Sequence, residues 1–374
     1  MSFIERLWAS SLVAFIILTV WIGGGYGSGR EIMEFIAKYG SLAWVSVVVG
    51  SIFLLVALYL SFEIARVFRA FDYYSFSKSF LWRAWPLFDI LYVVMAWIVI
   101  AVIGAAAASV LQEFGIPYVI GALLILAVVG ILHFYGRTVI EGFWALSIAA
   151  LYIMYFTLWI LTLSARGGEA LNTIARGVVA EGTWFDAVRD GFRYTMYNLI
   201  VVIPALTAVD RFKGRAESIW ASILGVILVY GTATLIWVCF MGFYPEIIGE
   251  AVPWIYVLKT INAPSWAFAL YTIVLLYTLL TTGIGMTYGV LRRVDTHLRI
   301  LRGRGLTRLQ EAIAAVLLLA FSLITAQVGL IALVAKGYGT LAWAFAIIYF
   351  IPLVTIGAYR LLNPQWRKDL WEKV

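Results

Sequence analysis

Ile22-Gly23-Gly24-Gly25-Tyr26-Gly27-Ser28-Gly29-Arg30 interrupts the first apolar stretch of the chain, and its reading decides the fold. Five of the seven residues from 23 to 29 are glycine. Each glycine costs a helix about 1 kcal/mol relative to alanine, so the run predicts unwound backbone inside an otherwise helical segment. Beyond it the helix restarts, because residues 31–36 have helical character and Arg30 stands four residues before Glu34, the spacing of a helical ion pair.

Composition identifies the solvent around this break. Of 374 residues, 64% are hydrophobic and 13% charged, whereas a soluble domain holds about 25% charged residues. Lipid must solvate much of that surface. Ten stretches lack Asp, Glu, Lys and Arg, namely 7–29, 39–62, 90–112, 114–136, 142–165, 194–209, 218–245, 260–291, 312–335 and 337–359. Nine of them reach at least 23 residues, and about 20 suffice to cross the hydrocarbon. Turns are expected at Glu113–Pro117 and Lys336–Gly339 from their Gly and Pro content. The apolar run after Arg6 is too long for a signal peptide and is read as the first span. Cys239 is the sole cysteine, which excludes disulfides within the chain and cysteine-based metal sites.

The basic residues set an orientation. With a cytoplasmic N-terminus and ten crossings, 19 Lys and Arg fall inside and 8 outside, the bias of cytoplasmic loops. Arg137, Arg367, Lys368, Lys373 and the run Arg292, Arg293, Arg299, Arg302, Arg304 and Arg308 are on the inner side. The net charge of +7 is therefore a topology signal and not a nucleic-acid footprint. A single multi-pass domain, 1–374, is expected in the cytoplasmic membrane with both termini cytoplasmic. Residues 166–193 suggest a short interfacial helix on the outer face, and 244–262 a bent helical cap.

The sixth stretch is the second irregularity. It has 16 residues, contains Pro204, and carries an amide in Tyr197-Asn198. A helix extended back to Thr183 would restore full length, giving two half-helices that meet near 198–201. Spans one and six are five apart and cross in opposite directions. Interrupted segments at matching positions of two halves point to an inverted-repeat transporter and its binding centre. The repeats would be about 7–165 and 184–361.

Gly23-Gly24-Gly25-Tyr26-Gly27-Ser28-Gly29-Arg30-Glu31-Ile32-Met33-Glu34-Phe35 resembles the glycine-rich first-helix signature of the YkvI-like membrane proteins, a family without a firmly assigned substrate. The family is grouped with the amino acid–polyamine–organocation superfamily. The resemblance implies the LeuT fold: an all-α integral membrane protein of ten transmembrane helices in a 5+5 inverted repeat, with spans one and six discontinuous. Arg30 stands where that family usually has Gln. The implied function is secondary active transport by alternating access, with Na+ or H+ coupled to uptake of a small amino-acid-like or amine solute.

Gly23, Gly25, Tyr26, Gly27 and Ser28 are the first choice for substrate contact, with Tyr197, Asn198 and Tyr277 beside them. Glu31 is either an intramembrane carboxylate with a proton-coupling role or an outward, solvated residue. The resemblance implies a sodium site from Thr281, Thr282 and a carbonyl near Gly23; hydroxyls bonding back to their own helix are the structural alternative. It also implies a gate from Arg6, Trp8 and Asp295, while Arg30 belongs to an outer gate. Gly104 to Ala108 are small enough to leave room in a central cavity. His133 and His297 have no clustered ligands, so no metal beyond a possible Na+ and no cofactor is expected. The expected partners are a small-molecule substrate and the bilayer, with oligomeric state open.

Two other classes compete. Gly25-Tyr26-Gly27 and Gly337-Tyr338-Gly339 are similar to the triplet of potassium filters, but such a filter needs four converging loops. A channel is therefore the runner-up, and a non-transporting scaffold follows it. An enzyme is not expected, because no metalloprotease, nucleophile-elbow or phosphate-loop motif occurs.

Overall fold

The computed structural model describes residues 3–134 and 137–366, with side chains described throughout except at 3, 4, 24, 134, 137–148, 300 and 301. Arg367, Lys368 and Lys373, assigned above to the inner side, lie outside the described residues, as does the side chain of Arg137.

Among the described residues the fold is helical without strands. Span one is α1, Phe3–Trp21, followed by two short helices, α2 (Gly24–Ser28) and α3 (Arg30–Phe35). The second span is α4, Ala43–Val67. A surface helix, α5 (Tyr73–Leu81), leads to α6 (Trp85–Gln112). Then come α7 (Tyr118–Phe134), α8 (Arg137–Ala175), α9 (Trp184–Asn198) with α10 (Val202–Val209), and α11 (Arg215–Met241). After α12 (Pro253–Thr260) follow α13 (Ser265–Arg302), α14 (Arg308–Ala326) and a last span, Leu330–Leu362. Eight of the described helices are long and apolar enough to cross a membrane, and Tyr118–His133 is a shorter apolar one. Lipid-facing side chains such as Ile160, Ile273 and Ile324 are about two-thirds exposed, as expected where hydrocarbon replaces water. The chain is a multi-pass α-helical membrane protein.

Local sequence explains most boundaries. Thr183 caps α9 and exchanges bonds with Asp186, so span six does extend back to Thr183. The turn at 113–117 occurs as expected, with Gly115 at φ 78°. The 244–262 segment forms a 3-10 turn, Glu246–Gly249, and α12, the bent cap anticipated above. The short helix expected after residue 166 is present: the backbone breaks at Arg166 (φ −135°, ψ 20°), and 167–175 form a short helix set off from the rest of α8. Lys336–Gly339, by contrast, is not a turn. The chain reverses at 327–329, and residues 336–339 lie inside the last span, which widens into a π-helical turn over Leu333–Tyr338. Such π turns let a helix absorb an extra residue without breaking.

Two groups of spans emerge from the packing. In one, α1, α4, α9–α10 and α11 pack on each other. In the other, α6, α7, α13 and α14 do so, while α8 touches both α11 and α13. Gly104 serves this second group: a Cβ there would meet Leu126 and Ala326 at 3.3 Å. The small residues Gly104 to Ala108 are buried, and Gly104 admits a close approach of α7 and α14. Below, the near end of the bundle is the one from which α1 starts, and the far end its opposite.

Candidate functional site

The glycine run breaks span one in a narrower way than expected. Unwinding is confined to two hinges, and residues 24–28 form a helical turn. At the first hinge Gly23 is extended (φ −93°, ψ −165°), and at the second Gly29 is left-handed (φ 84°, ψ −7°). A side chain at Gly29 would be strained by that φ and would also meet the Phe240 ring at 2.7 Å. The short helix α2 lies between α6 and α13.

Hydroxyls from other spans reach this turn. Tyr155 on α8 donates to Tyr26 O at 3.4 Å, and Tyr271 on α13 donates to Gly27 O at 3.4 Å. Tyr26 donates to Val229 O on α11 at 3.3 Å, and Ser28 donates to Gly25 O at 2.9 Å. Irregular backbone at membrane depth is tolerated only where protein or a cavity satisfies it, and here protein does so. Tyr26 and Ser28 are fully buried, so in this conformer both side chains are packed against protein.

Glu31 is 4% exposed, so in this conformer it is a buried carboxylate and not an outward, solvated residue. Tyr197 donates to its Oε2 at 2.9 Å. A Cβ on Gly25 would fall on Glu31 Oε1, so the missing side chain at 25 makes room for the carboxylate. Tyr197 thus joins the break as expected. Asn198 is buried but turns its amide back to Tyr194 O at 2.9 Å, within its own helix. The break in span six falls at Leu199–Val201 as one 3-10 turn with helical dihedral angles throughout, so the two halves are joined by a tightened turn and not by unwound backbone. Pro204 lies inside α10.

Of the sodium site that the resemblance implies, one threonine reaches the first hinge. The Thr282 methyl lies beside Gly23, 3.7 Å from where a Cβ would stand. Thr281 donates to Thr278 O at 3.0 Å, the back-bond to its own helix, and Gly23 O accepts the Gly27 N–H at 2.8 Å. Tyr277 is half-buried on α13, six residues beyond the Tyr271 that does reach the break.

The gate residues fare unequally. Arg30 is buried, pairs with Glu34 at 2.6 Å as its spacing predicts, and donates to Ile248 O and Glu250 O at 2.7 and 3.1 Å. It starts a chain of charges across the far end. Lys38 bonds Glu34 (2.7 Å) and Asp190 (3.3 Å); Asp190 also holds Arg193 (2.7 Å), Arg189 (3.1 Å) and the Tyr39 hydroxyl (2.6 Å). Arg193 donates to Gly339 O in the last span. Tyr244, just beyond α11, donates to Lys38 O at 2.8 Å; burial pushes its phenol up, which keeps it a neutral donor. Arg6 and Asp295 do not pair. Arg6 lies 3.6 Å from Glu217, while Asp295 takes Arg299 and the Leu306 N–H at 2.7 Å, because the 303–306 turn folds onto it. Trp8 is 64% exposed. His297 bonds Asp89 and His133 faces Glu311; among the described residues no cluster fit for a metal occurs.

Sequence reasoning missed Tyr155, Tyr194, Tyr271, Tyr338, Phe35 and Asp190. Tyr194 precedes Tyr197 by one helical turn and accepts from Trp21 Nε1 at 2.9 Å, so periodicity on α9 would have found it. Tyr338 stacks on Tyr197 with centroids 4.7 Å apart, but it lay in a stretch read as a turn.

No protein-family model matches the chain and no curated protein matches it, so the YkvI-like resemblance stays a resemblance. Solved structures do match. MhsT in complex with L-phenylalanine superposes with a TM-score of 0.60 at 12% identity, covering 93% of this chain and 88% of that one. A Na+-coupled sialic acid symporter gives 0.55 at 12%, covering 93% and 87%. The manganese transporter of Eremococcus coleocola gives 0.53 at 16%, covering 94% and 80%. The fold is of the LeuT type.

Proposed function

We propose that the chain is a secondary active transporter that works by alternating access. Its cargo is a small amino-acid-like or amine solute, taken up with Na+ or H+ across a cytoplasmic membrane, with the near end and both termini cytoplasmic. The two inverted repeats would be about 7–165 and 184–361. The observation that carries this is the double hinge at Gly23 and Gly29, whose intervening turn is held by tyrosine hydroxyls from α8 and α13 beside a buried carboxylate. Two hinges with five residues between them let α1 and α3 reorient independently about a fixed turn, which is the mechanical need of alternating access. The LeuT fold supports the same reading, since two of the solved structures above are described as a transporter and a symporter.

The coupling ion has two candidate seats. Sodium would use Gly23, Thr281 and Thr282, which requires Thr281 to leave Thr278 O. A proton would use Glu31. A channel is disfavoured because Gly337-Tyr338-Gly339 lies within the helical last span and Gly25-Tyr26-Gly27 forms a helical turn, so neither offers an extended ladder of carbonyls. Proteoliposomes with an imposed Na+ or proton gradient test the reading directly. Saturable accumulation driven by one gradient is expected; gradient-independent leak with unitary currents in a planar bilayer would replace transport with a channel.

A further inference from the structure

The Glu31 carboxylate is buried in a setting that lacks its counter-charge. Among the described residues no basic side chain pairs with it. The nearby cations are committed elsewhere: Arg30 to Glu34 and two carbonyls, Lys38 to Glu34 and Asp190, Arg193 to Asp190 and Gly339 O. A buried ion without a partner is strongly unfavourable, so such a site either binds a proton or receives a cation.

The surroundings discriminate among cations. Glu31 and Phe35 are four residues apart and share one face of α3. The Phe35 ring lies 5.8 Å from Tyr194, nearly parallel, and 5.4 Å from Tyr197. Tyr197 in turn stacks on Tyr338 at 4.7 Å and 23°. Glu31, bonded to Tyr197, therefore stands at the edge of a four-ring cluster. Aromatic faces attract organic ammonium groups, whose charge is spread over a weakly hydrated surface. A small metal cation instead demands a shell of oxygens. A zwitterion would bring a carboxylate into a cluster whose basic neighbours are already taken.

We propose that Glu31 is the counter-ion of a positively charged nitrogen on the transported solute, held against Phe35, Tyr194, Tyr197 and Tyr338. The cargo is then an organic ammonium of net positive charge and not an amino acid zwitterion. This rests on the transporter reading above. The rings close on one another in this conformer, so the Tyr197–Tyr338 stack must part to admit the solute.

The test uses purified full-length protein and four probes of similar size: butylammonium, choline, 3,3-dimethylbutanol as choline's neutral isostere, and glycine betaine as a zwitterion. Calorimetry should detect the two cations and not the neutral isostere, with betaine at least tenfold weaker than choline. Glu31→Gln should weaken the cations at least tenfold, and Phe35→Leu should weaken them without touching the carboxylate. Helicity by circular dichroism confirms that each variant folds. Equal binding of choline and its neutral isostere overturns the proposal, as does a Glu31→Gln variant that keeps cation affinity and loses only its pH dependence, which makes Glu31 a proton site. No binding of either cation overturns it too. Gradient-driven uptake of betaine unaffected by Glu31→Gln would sink the assignment of the cargo while leaving transport intact; absence of accumulation of any solute would sink transport itself.

Discussion

The two ends of the bundle handle charge differently. At the far end one chain of contacts runs from Arg30 through Glu34, Lys38 and Asp190 to Arg193 and ends on Gly339 O. It ties span one, span six and the last span together. At the near end the described pairs are separate, and each stays within one group of spans. Arg6–Glu217 and Arg215–Glu63 join members of the first group, at 3.6 Å each. Arg293–Asp89, His297–Asp89 and His133–Glu311 join members of the second. The far-end chain thus crosses the break, whereas each of these near-end pairs braces one group. Pro204 and Thr207 on α10 are exposed, in keeping with that asymmetry.

The largest expected effect comes from cutting the far-end chain at its most buried link. Asp190 is 1% exposed and accepts from three basic side chains and a tyrosine. Breaking a buried pair by removing one partner costs about 3–5 kcal/mol. A shift of about 5.5 kcal/mol moves an equilibrium from 1:99 to 99:1, so Asp190→Asn should open the far side in a large fraction of molecules. With Cys239→Ala as background, a cysteine in place of Ser28 reports this through an impermeant maleimide applied to the far side. Labelling should accelerate by about two orders of magnitude or more; an unchanged rate would mean that the chain is not the lock.

Asp89→Asn provides the control at the near end. Asp89 and Arg293 are 5% and 4% exposed, and the Arg293 guanidinium lies over the Tyr92 ring at 3.3 Å. Loss of hydrogen bonds to a charged group costs about 1.5–3 kcal/mol. Because both residues belong to one group, the loss should appear as a lower melting temperature with far-side labelling unaltered. Faster labelling at Ser28→Cys would show that the two ends are coupled more tightly than their ion pairs suggest.

Gly25→Ala probes the turn that both ends surround. A Cβ at 25 falls on Glu31 Oε1, and overpacking of this kind costs about 1–3 kcal/mol. Uptake should fall by about one to two orders of magnitude while the variant still folds. Normal uptake would mean that Glu31 is free to leave Gly25.

How much of this was legible beforehand depends on the range of each contact. Apolar run lengths are local, and they found the spans; the basic-residue bias is likewise read along the chain. The hinges were visible because glycine carries its conformational freedom in its own identity. The Arg30–Glu34 pair was visible as an i,i+4 spacing. Glu31 was ambiguous because burial is decided by α9, more than 160 residues away, through Tyr197. The partner of Arg6 in this conformer is hidden for the same reason: both Asp295 and Glu217 lie near the expected membrane edge, and only packing of α1 on α11 selects Glu217. The misplaced turn at 336–339 came from counting Lys336 as a span end, whereas a π-helical widening carries it within the last span.

The smallest effect is expected at a near-end brace whose basic partner is exposed. Arg6 is 55% exposed and 3.6 Å from Glu217, a carboxylate that also caps α11 through the Gly214 N–H at 3.1 Å. Exposed pairs of this kind contribute about 0–1 kcal/mol, and Glu217 keeps its backbone bond when the arginine is gone. Arg6→Ala should therefore change melting temperature and far-side labelling very little. It should also lose what sensitivity the protein has to salt at this corner, since screening already weakens the pair. A large change in uptake from Arg6→Ala would be the informative failure. It would mean that in another conformer of the cycle Arg6 leaves Glu217 for a residue of the second group, and that the near end acquires a bridging pair of its own when it closes.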